Sequence, residues 1–233
     1  MKLPQKAGSH PCPPPGEPGA TGVGTAFGTF GELLQGVLPE EDGDFLVTLP
    51  VARWTRAAFR LDPDLDDVVV RPVWKRKARR LARMIVEEGA PRPVGGELTV
   101  HSLIPEGKGL ASSSADLVAT ARAVGQALGL AMPAPRIERF LARIEPTDGV
   151  LYPGIVAFHH RSVRLRAVLG SLPPWPWWAS TRAARSTRWT STASPSRSRR
   201  PTGTSTRACW TGSPAPYTPA TWRRWAGSRP GAR

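Results

Sequence analysis

The sequence is poor in cysteine and has no long apolar run. Its two cysteines, Cys12 and Cys209, lie near opposite ends of the chain. Two such distant thiols support neither a disulfide framework nor a cysteine metal site. No stretch approaches the roughly 18 apolar residues that a membrane span needs, and the first residues lack the apolar region of a signal peptide. We therefore expect a cytoplasmic protein without a membrane partner.

The last part of the chain, residues 175–233, lacks acidic residues, lysine, leucine, isoleucine, valine, phenylalanine and methionine. It holds 11 arginines and seven of the nine tryptophans, so most of the net charge of +14 belongs to it. A segment with this composition cannot build an ordinary hydrophobic core. We predict that residues 175–233 form a disordered basic tail.

The tryptophan codons of this tail indicate its origin. Tryptophan has the single codon TGG. In a reading frame that begins on the third base of each codon, the new codon at every tryptophan must therefore start with G. In that frame, Trp175 followed by proline gives alanine, Trp177 followed by tryptophan gives valine, and Trp189 followed by threonine gives aspartate. The acidic and aliphatic residues that the tail lacks therefore reappear in the shifted frame. We predict that residues after about 174 are an out-of-frame translation of a GC-rich gene, through a natural frameshift or a sequencing error.

A nucleic-acid-binding tail is the competing interpretation. Arginine and tryptophan bind phosphate and stack on bases, so a tail of this charge would bind nucleic acid in a salt-dependent way. A shifted GC-rich frame yields arginine, alanine, proline, serine and threonine by default, however, so the charge alone argues little. We do not expect a nucleic-acid partner. Retention of RNA at moderate salt, lost when the tail is removed, would overturn this expectation.

Residues 1–24 form a leader that is rich in proline and glycine and is predicted to be disordered. Residues 25–174 carry the periodic patterns of a folded region. The mixture of patterns predicts an α+β fold. The basic residues of the first predicted helix, residues 75–88, are interpreted as its solvated face. Strands are predicted at 25–38, 45–51, 52–61, 68–70, 97–103, 155–158 and 163–169, and helices at 75–88, 112–128 and 132–144.

The segment 105–114 is a candidate cradle for a polyanion. Its proline and glycines prevent regular structure and let the backbone approach a ligand, and its serines offer hydroxyls and a cap for the following helix. A helix N-terminus attracts phosphate through its unpaired N–H groups, and a lysine adds a full charge. A serine-capped helix after a glycine loop is the simpler interpretation. The candidate residues are Pro105, Gly107, Lys108, Gly109, Leu110, Ala111, Ser112, Ser113 and Ser114.

The same segment resembles the second signature of the GHMP kinases, which include galactokinase, homoserine kinase and mevalonate kinase. Residues 105–115 match Pro-x-x-x-Gly-Leu-x-Ser-Ser-Ser-Ala, with Ala111 where many members have glycine. Residues 28–36, GTFGELLQG, resemble the first signature in the form seen in bacterial L-threonine kinases of the cobalamin and propanediol pathways. Residues 145–148, EPTD, stand where the family places an acidic loop; on their own they would indicate only a turn.

The resemblance implies a particular α+β architecture. Members of the family have an N-terminal domain that resembles the second domain of ribosomal protein S5, followed by a ferredoxin-like domain. Residues 25–174 are then expected to be the N-terminal ATP-binding region. The third signature of the family, a glycine-rich loop, is absent from this sequence, and we expect the ferredoxin-like domain to be missing.

The resemblance also implies how ATP and Mg²⁺ would be held. Backbone N–H groups from Gly107 to Ser114 are expected to bind the phosphates, and Lys108 adds positive charge at the site of transfer. Either Ser112 or Ser113 would help to place Mg²⁺. Each of these roles is carried over from the family to the matching position of this sequence.

On the acceptor side, the resemblance implies that Glu32 and Gln35 bind the substrate and that Asp148 accepts or orients its hydroxyl proton. The implied reaction is transfer of the γ-phosphoryl group of ATP to a small metabolite with a hydroxyl group, with L-threonine as the best single acceptor. We expect the chain as given to bind ATP weakly and to show no turnover. A nucleotide-binding protein without catalysis remains the alternative, and the sequence indicates no oligomeric state.

Overall fold

The computed structural model describes residues 13–39 and 43–171, and all of them belong to one compact unit. The first 12 residues of the predicted leader and the predicted tail lie outside the described residues, as does the predicted change of reading frame. Strands and helices are mixed along the chain, which confirms the predicted α+β class. The elements are β1 (Thr21–Val37), β2 (Asp44–Asp62), β3 (Val68–Arg71), α1 (Arg76–Gly89), β4 (Gly95–Ser102), α2 (Ser112–Ala127), α3 (Ala134–Ala142), β5 (Ile155–His159) and β6 (Arg164–Gly170).

The long strand β2 organises the sheet. It pairs antiparallel with β1 along most of its length, and its other edge pairs with β5 near its start and with β4 near its end. The strand order is β3-β4-β2-β5-β6, with β1 on β2 outside this path. The prediction of two strands at 45–51 and 52–61 was wrong. The apolar pattern changes within one strand, because residues 45–48 are buried in succession whereas residues 55–61 mostly alternate between the core and the open face.

The predicted leader was too long, because the chain is packed well before residue 25. Ala20 is buried, and its carbonyl accepts a hydrogen bond from Leu61 N at 2.8 Å. Gly19 N in turn donates to Leu61 O at 2.9 Å. Strand β1 then begins at Thr21. The glycines that indicated disorder serve close packing instead.

Helix α2 lies directly on β1, and two glycines of the strand make this approach possible. A Cβ atom at Gly22 would lie 2.0 Å from the carbonyl oxygen of Ala123, and one at Gly24 would lie 2.1 Å from that of Ala119. Such distances are far below van der Waals contact. Any side chain at these positions would push the helix off the sheet. This contact fixes α2, and with it the segment at its N-terminus.

Replacing Gly24 with alanine is therefore expected to destabilise the fold by about 1–3 kcal/mol, the usual range for inserting a methyl group into a packed core. Equilibrium unfolding in urea would measure the loss. Val23→Ala is the matched control, since Val23 is 42% exposed on the opposite face of the same strand. Equal stability of the Gly24→Ala protein and the wild type would contradict the close packing of β1 and α2.

Helix α1 connects two parallel strands, because β3 pairs parallel with β4 and the chain must cross over between them. Its apolar face packs on the core as predicted, through Ala78, Leu81, Ala82, Ile85 and Val86. Short helix α3 begins after Pro133 and carries Pro135 in its first turn, as its prolines indicated. None of the helices in the part of the chain that the structure describes is long and apolar enough to cross a membrane.

Candidate functional site

The loop before α2 is fastened to β1. Gly107 and Gly109 adopt positive φ angles of 68° and 71°, which turn the chain toward the helix. Gly31 N donates to Gly109 O at 3.3 Å, and Thr29 N donates to Leu110 O at 3.2 Å. The loop thus lies beside the irregular part of β1, where the pairing register shifts between Thr29 and Glu32. This contact brings the two glycine-rich segments of the sequence together.

Helix α2 has no serine cap, contrary to the prediction. Its N-cap residue is Ala111, which adopts a left-handed conformation with φ 55° and ψ 30° and makes no side-chain cap hydrogen bond. The hydroxyl groups of Ser113 and Ser114 instead contact carboxylates from another part of the chain. The N-cap residue therefore contributes no side-chain cap to the N–H groups of the first turn. A helix end of this kind is suited to an anion.

Ala111→Gly is expected to stabilise the protein by up to about 1 kcal/mol. A left-handed conformation costs an alanine roughly 1–2 kcal/mol, whereas glycine adopts it freely and loses part of the gain through its more flexible unfolded state. Thermal or urea unfolding would measure the difference. Ala142→Gly, at the exposed end of α3, is the control and should not stabilise. A loss of stability at position 111 would show that the residue is not strained.

Ser113 and Glu145 form the first pair at this helix end. The Ser113 hydroxyl donates to Glu145 Oε1, while Lys77 Nζ donates to Glu145 Oε2. The Glu145 side chain is only 4% exposed, whereas that of Lys77 is 48% exposed. The carboxylate is thus held deep in the structure by one hydroxyl and one cation that solvent still reaches.

Ser114 and Asp148 form the second pair. The Ser114 hydroxyl donates to Asp148 Oδ2 at 3.2 Å, and Asp148 N donates back to Ser114 Oγ at 3.2 Å. Glu32 lies within electrostatic reach: partial burial raises the pKa of Glu32, and the charge of Asp148 raises it further. Although solvent reaches Glu32, the two carboxylates interact. The charge of Asp148 in the acidic loop thus acts on Glu32 in the irregular part of β1.

The raised pKa of Glu32 gives a prediction with a definite sign. A carboxyl group whose pKa is higher in the folded than in the unfolded state lowers stability once it ionises. Glu32→Gln should therefore stabilise the protein by a few tenths of a kcal/mol at pH 7, a small effect because solvent screens the charge. The gain should vanish below the ordinary pKa of 4.5. Urea unfolding at pH 7 and pH 4 tests this, and a destabilised Glu32→Gln protein at pH 7 would contradict it.

Most basic residues of the first predicted helix are exposed, which agrees with their interpretation as a solvated face, and most of them also form ion pairs. Lys75 contacts Glu106 and Asp116, and Lys77 contacts Glu145. Further along the helix Arg79 and Arg83 both pair with Asp67, and Arg83 also pairs with Glu87. Their partners lie up to 68 positions away in the sequence, so the pattern of the helix alone could not identify them.

The other predicted site residues take different positions. Pro105 and Lys108 lie in the loop between β4 and α2, and Ser112 begins α2. Gln35 is exposed on β1, opposite Leu46, and shares no hydrogen bond with the other predicted site residues among the described contacts. The structure thus brings Glu32, Ser113, Ser114 and Asp148 together with the loop, and it leaves Gln35 apart.

Sequence reasoning missed Lys77 and assigned no role to Glu145. The EPTD segment contained a signal for Glu145, because it holds two acidic residues three positions apart. In the structure Glu145 contacts Ser113, and Asp148 contacts Ser114. A hydroxyl and a carboxylate are oxygen donors of the kind that Mg²⁺ prefers. Within 13–39 and 43–171 no group of three or more histidine, cysteine, aspartate or glutamate residues could hold a metal ion. A cation here would need further oxygen ligands, such as phosphate.

Comparison with known proteins shows what this region resembles. Residues 75–152 match the family model described as the GHMP kinases N terminal domain. This part of the chain is similar to the N-terminal domain of GHMP kinases. The match begins at the lysine before α1 and ends just after the acidic loop, so it includes the cradle, both serine–carboxylate pairs and Lys77.

Curated relatives of this chain include two L-threonine kinases. The chain is 31% identical to the L-threonine kinase of Salmonella typhimurium over 147 residues, which are 62% of this chain and 46% of the relative. It is 32% identical to that of Citrobacter freundii over 133 residues, 57% of this chain and 44% of the relative. The chain thus spans about half the length of the curated relatives it matches.

Solved structures similar to this chain are more distant in sequence. A putative sugar kinase from Campylobacter jejuni superposes with a TM-score of 0.48 at 14% identity, covering 63% of this chain and 55% of the other. The mevalonate kinase of Methanococcus jannaschii superposes with a TM-score of 0.45 at 11% identity, covering 64% and 56%.

Proposed function

We propose that this chain is the ATP-binding part of a small-molecule kinase that transfers the γ-phosphoryl group of ATP to a hydroxyl group, with L-threonine as the acceptor. The observation that carries the proposal is the helix end of α2, where two serines each contact a carboxylate of the acidic loop. In phosphoryl transfer the protein mainly positions the reacting oxygens and neutralises charge. This helix end offers N–H donors, acids and a lysine in one place.

The nucleotide side of the proposal rests on the loop and the first turn of α2. The fixed turns at Gly107 and Gly109 and the uncapped helix N-terminus are suited to phosphate oxygens. Ser113 and Glu145 would hold Mg²⁺, which when bound would neutralise the charge of the phosphates. Of the two serines considered from the sequence, Ser113 is favoured because its hydroxyl already contacts a carboxylate. Lys108 is proposed to add positive charge from the loop.

The acceptor side of the proposal rests on Asp148 and Glu32. Asp148 would accept or orient the proton of the acceptor hydroxyl, since its carboxylate lies at the helix end where the phosphates are expected. Glu32, which lies within electrostatic reach of Asp148, would bind a positively charged group such as the ammonium of an amino acid. Gln35 is proposed to lie at the outer edge of this acceptor region. L-threonine is chosen because the relatives at 31% and 32% identity carry that activity in their names.

Calorimetric titration with MgATP and, separately, with L-threonine tests this proposal against the alternative of a non-catalytic nucleotide-binding protein. A kinase must bind both ligands, whereas the alternative predicts binding of ATP alone. We expect weak binding of MgATP and no ADP release from the chain as given, and threonine-dependent ADP release from the gene product read in the restored frame. Failure of that longer product to phosphorylate threonine would refute the acceptor, and failure of both products to bind MgATP would refute the site.

A further inference from the structure

Lys75, the residue immediately before α1, joins the glycine loop to the start of α2. Its Nζ atom lies 2.6 Å from Glu106 Oε1 in the loop and 2.6 Å from Asp116 Oδ2 in the helix. The side chains of Lys75 and Asp116 are only 11% and 7% exposed, whereas that of Glu106 is 54% exposed. One nearly buried ammonium group therefore connects the two segments that form the proposed phosphate site.

Polar groups of the sheet hold Asp116 from its other side. Thr55 Oγ1 on β2 donates to Asp116 Oδ1 at 3.0 Å, and the same hydroxyl shares a hydrogen bond with Ser102 Oγ on β4 at 2.7 Å. Ser102 Oγ also accepts a hydrogen bond from Ile104 N at 3.2 Å, at the entrance to the loop. One oxygen of Asp116 is thus fixed by the sheet, and the other is directed at Lys75.

The charges in this cluster matter because Asp116 lies about one turn inside a helix end that is proposed to bind phosphates. A buried carboxylate at that position would repel a polyphosphate through a medium of low dielectric constant. Burial raises the pKa of Asp116, and Lys75 opposes that shift through its hydrogen bond and its charge. Burial acts to lower the pKa of Lys75, but Asp116 and Glu106 outweigh it, so the pKa is raised and the lysine stays cationic.

We infer that Lys75 is a positioning residue of the phosphate site, which holds the loop through Glu106 and neutralises the carboxylate of Asp116 beneath the helix N-terminus. The inference rests on the proposed function, because it requires phosphates at this helix end. Lys75 needs no contact with the nucleotide in this role. It acts through the loop backbone and through the electrostatic potential at the first turn of α2.

The first test compares Lys75→Met with Arg76→Met in the full chain, with MgATP as the ligand in calorimetric titration. Arg76 is the exposed neighbour of Lys75, so its replacement removes an equal charge from the same helix end. We expect Lys75→Met to weaken MgATP binding about tenfold or more, and Arg76→Met to weaken it by less than about threefold. Equal weakening would assign the effect to net charge and overturn the inference.

Glu106→Gln separates positioning from folding. Because Glu106 is largely exposed, loss of its ion pair should leave the melting temperature nearly unchanged. We expect weaker MgATP binding, by about threefold to tenfold, and faster amide hydrogen exchange at residues 107–110. A variant with wild-type affinity and wild-type exchange would overturn the positioning role even if Lys75→Met fails to fold.

The double variant Lys75→Met/Asp116→Asn tests the neutralising role. It removes both charges, so it should bind MgATP more tightly than Lys75→Met alone, because the uncompensated carboxylate is gone. Absence of any recovery would contradict neutralisation.

The wild-type titration keeps the two proposals apart. If the wild type does not bind MgATP, the proposed site itself is refuted. If the wild type binds MgATP and Lys75→Met binds it equally well, only the inference about Lys75 is refuted.

Discussion

Replacing Glu145 with glutamine is expected to remove the magnesium dependence of ATP binding. In the wild type the buried carboxylate, 4% exposed, faces the Ser113 hydroxyl and the Lys77 ammonium group. Glutamine keeps the shape and an acceptor oxygen but loses the negative charge that a divalent cation requires. We expect ATP affinity in the presence of Mg²⁺ to fall about tenfold or more, to a value within about twofold of the affinity in EDTA.

Calorimetric titrations of ATP with Mg²⁺ and with EDTA, for wild type and variant, would measure this ratio. Glu138→Gln is the matched control, because Glu138 is also a buried glutamate but bonds the Tyr152 hydroxyl and Leu165 N rather than the serines. Its magnesium dependence should equal that of the wild type. A Glu145→Gln protein that still binds MgATP better than ATP alone would show that the cation is held elsewhere.

Replacing Asp148 with asparagine is expected to slow phosphoryl transfer strongly while leaving nucleotide binding intact. The side chain accepts a hydrogen bond from Ser114, and asparagine can still accept it, so the loop should keep its place. Asparagine cannot take up the proton of the acceptor hydroxyl. Loss of general-base assistance usually lowers the rate by about 10²–10⁴-fold.

Threonine-dependent ADP release by the gene product in the restored frame would measure the rate, and calorimetry would measure the affinity for MgATP. The control is Asp67→Asn, which removes a carboxylate that pairs with Arg79 and Arg83 on the far part of α1. Its rate should remain within about threefold of the wild-type rate. An Asp148→Asn enzyme of normal rate would remove this aspartate from the chemistry.

Much of the fold follows from local patterns. The apolar stripe of α1 predicted its buried face correctly, and the prolines at 133 and 135 predicted where α3 begins. Errors arose where a local pattern has two physical causes. Glycines at 22 and 24 indicated disorder but serve the close approach of α2, and the change of pattern within β2 marks a change in burial rather than an end of the strand.

The candidate site was less accessible to sequence reasoning, because its contacts join distant segments. Ser113 and Ser114 appeared to be capping residues, yet their hydroxyls meet carboxylates 32 and 34 positions away. Lys75 and Lys77 belonged to a basic stripe with nothing to distinguish them from Arg76 or Arg80. Only the placement of α1 beside α2 selects these two lysines. A pattern on one helix carries no information on what faces it.

Amide hydrogen exchange with and without MgATP tests most directly whether the N-terminus of α2 is the nucleotide site. The N–H groups of residues 107–114 are the proposed phosphate ligands, so bound MgATP should slow their exchange. The exposed end of β1 around Gln35 should change little. Protection concentrated at residues 107–114, and weaker in Glu145→Gln at the same MgATP concentration, is the predicted result. Binding of MgATP with unchanged exchange at these residues would contradict the account.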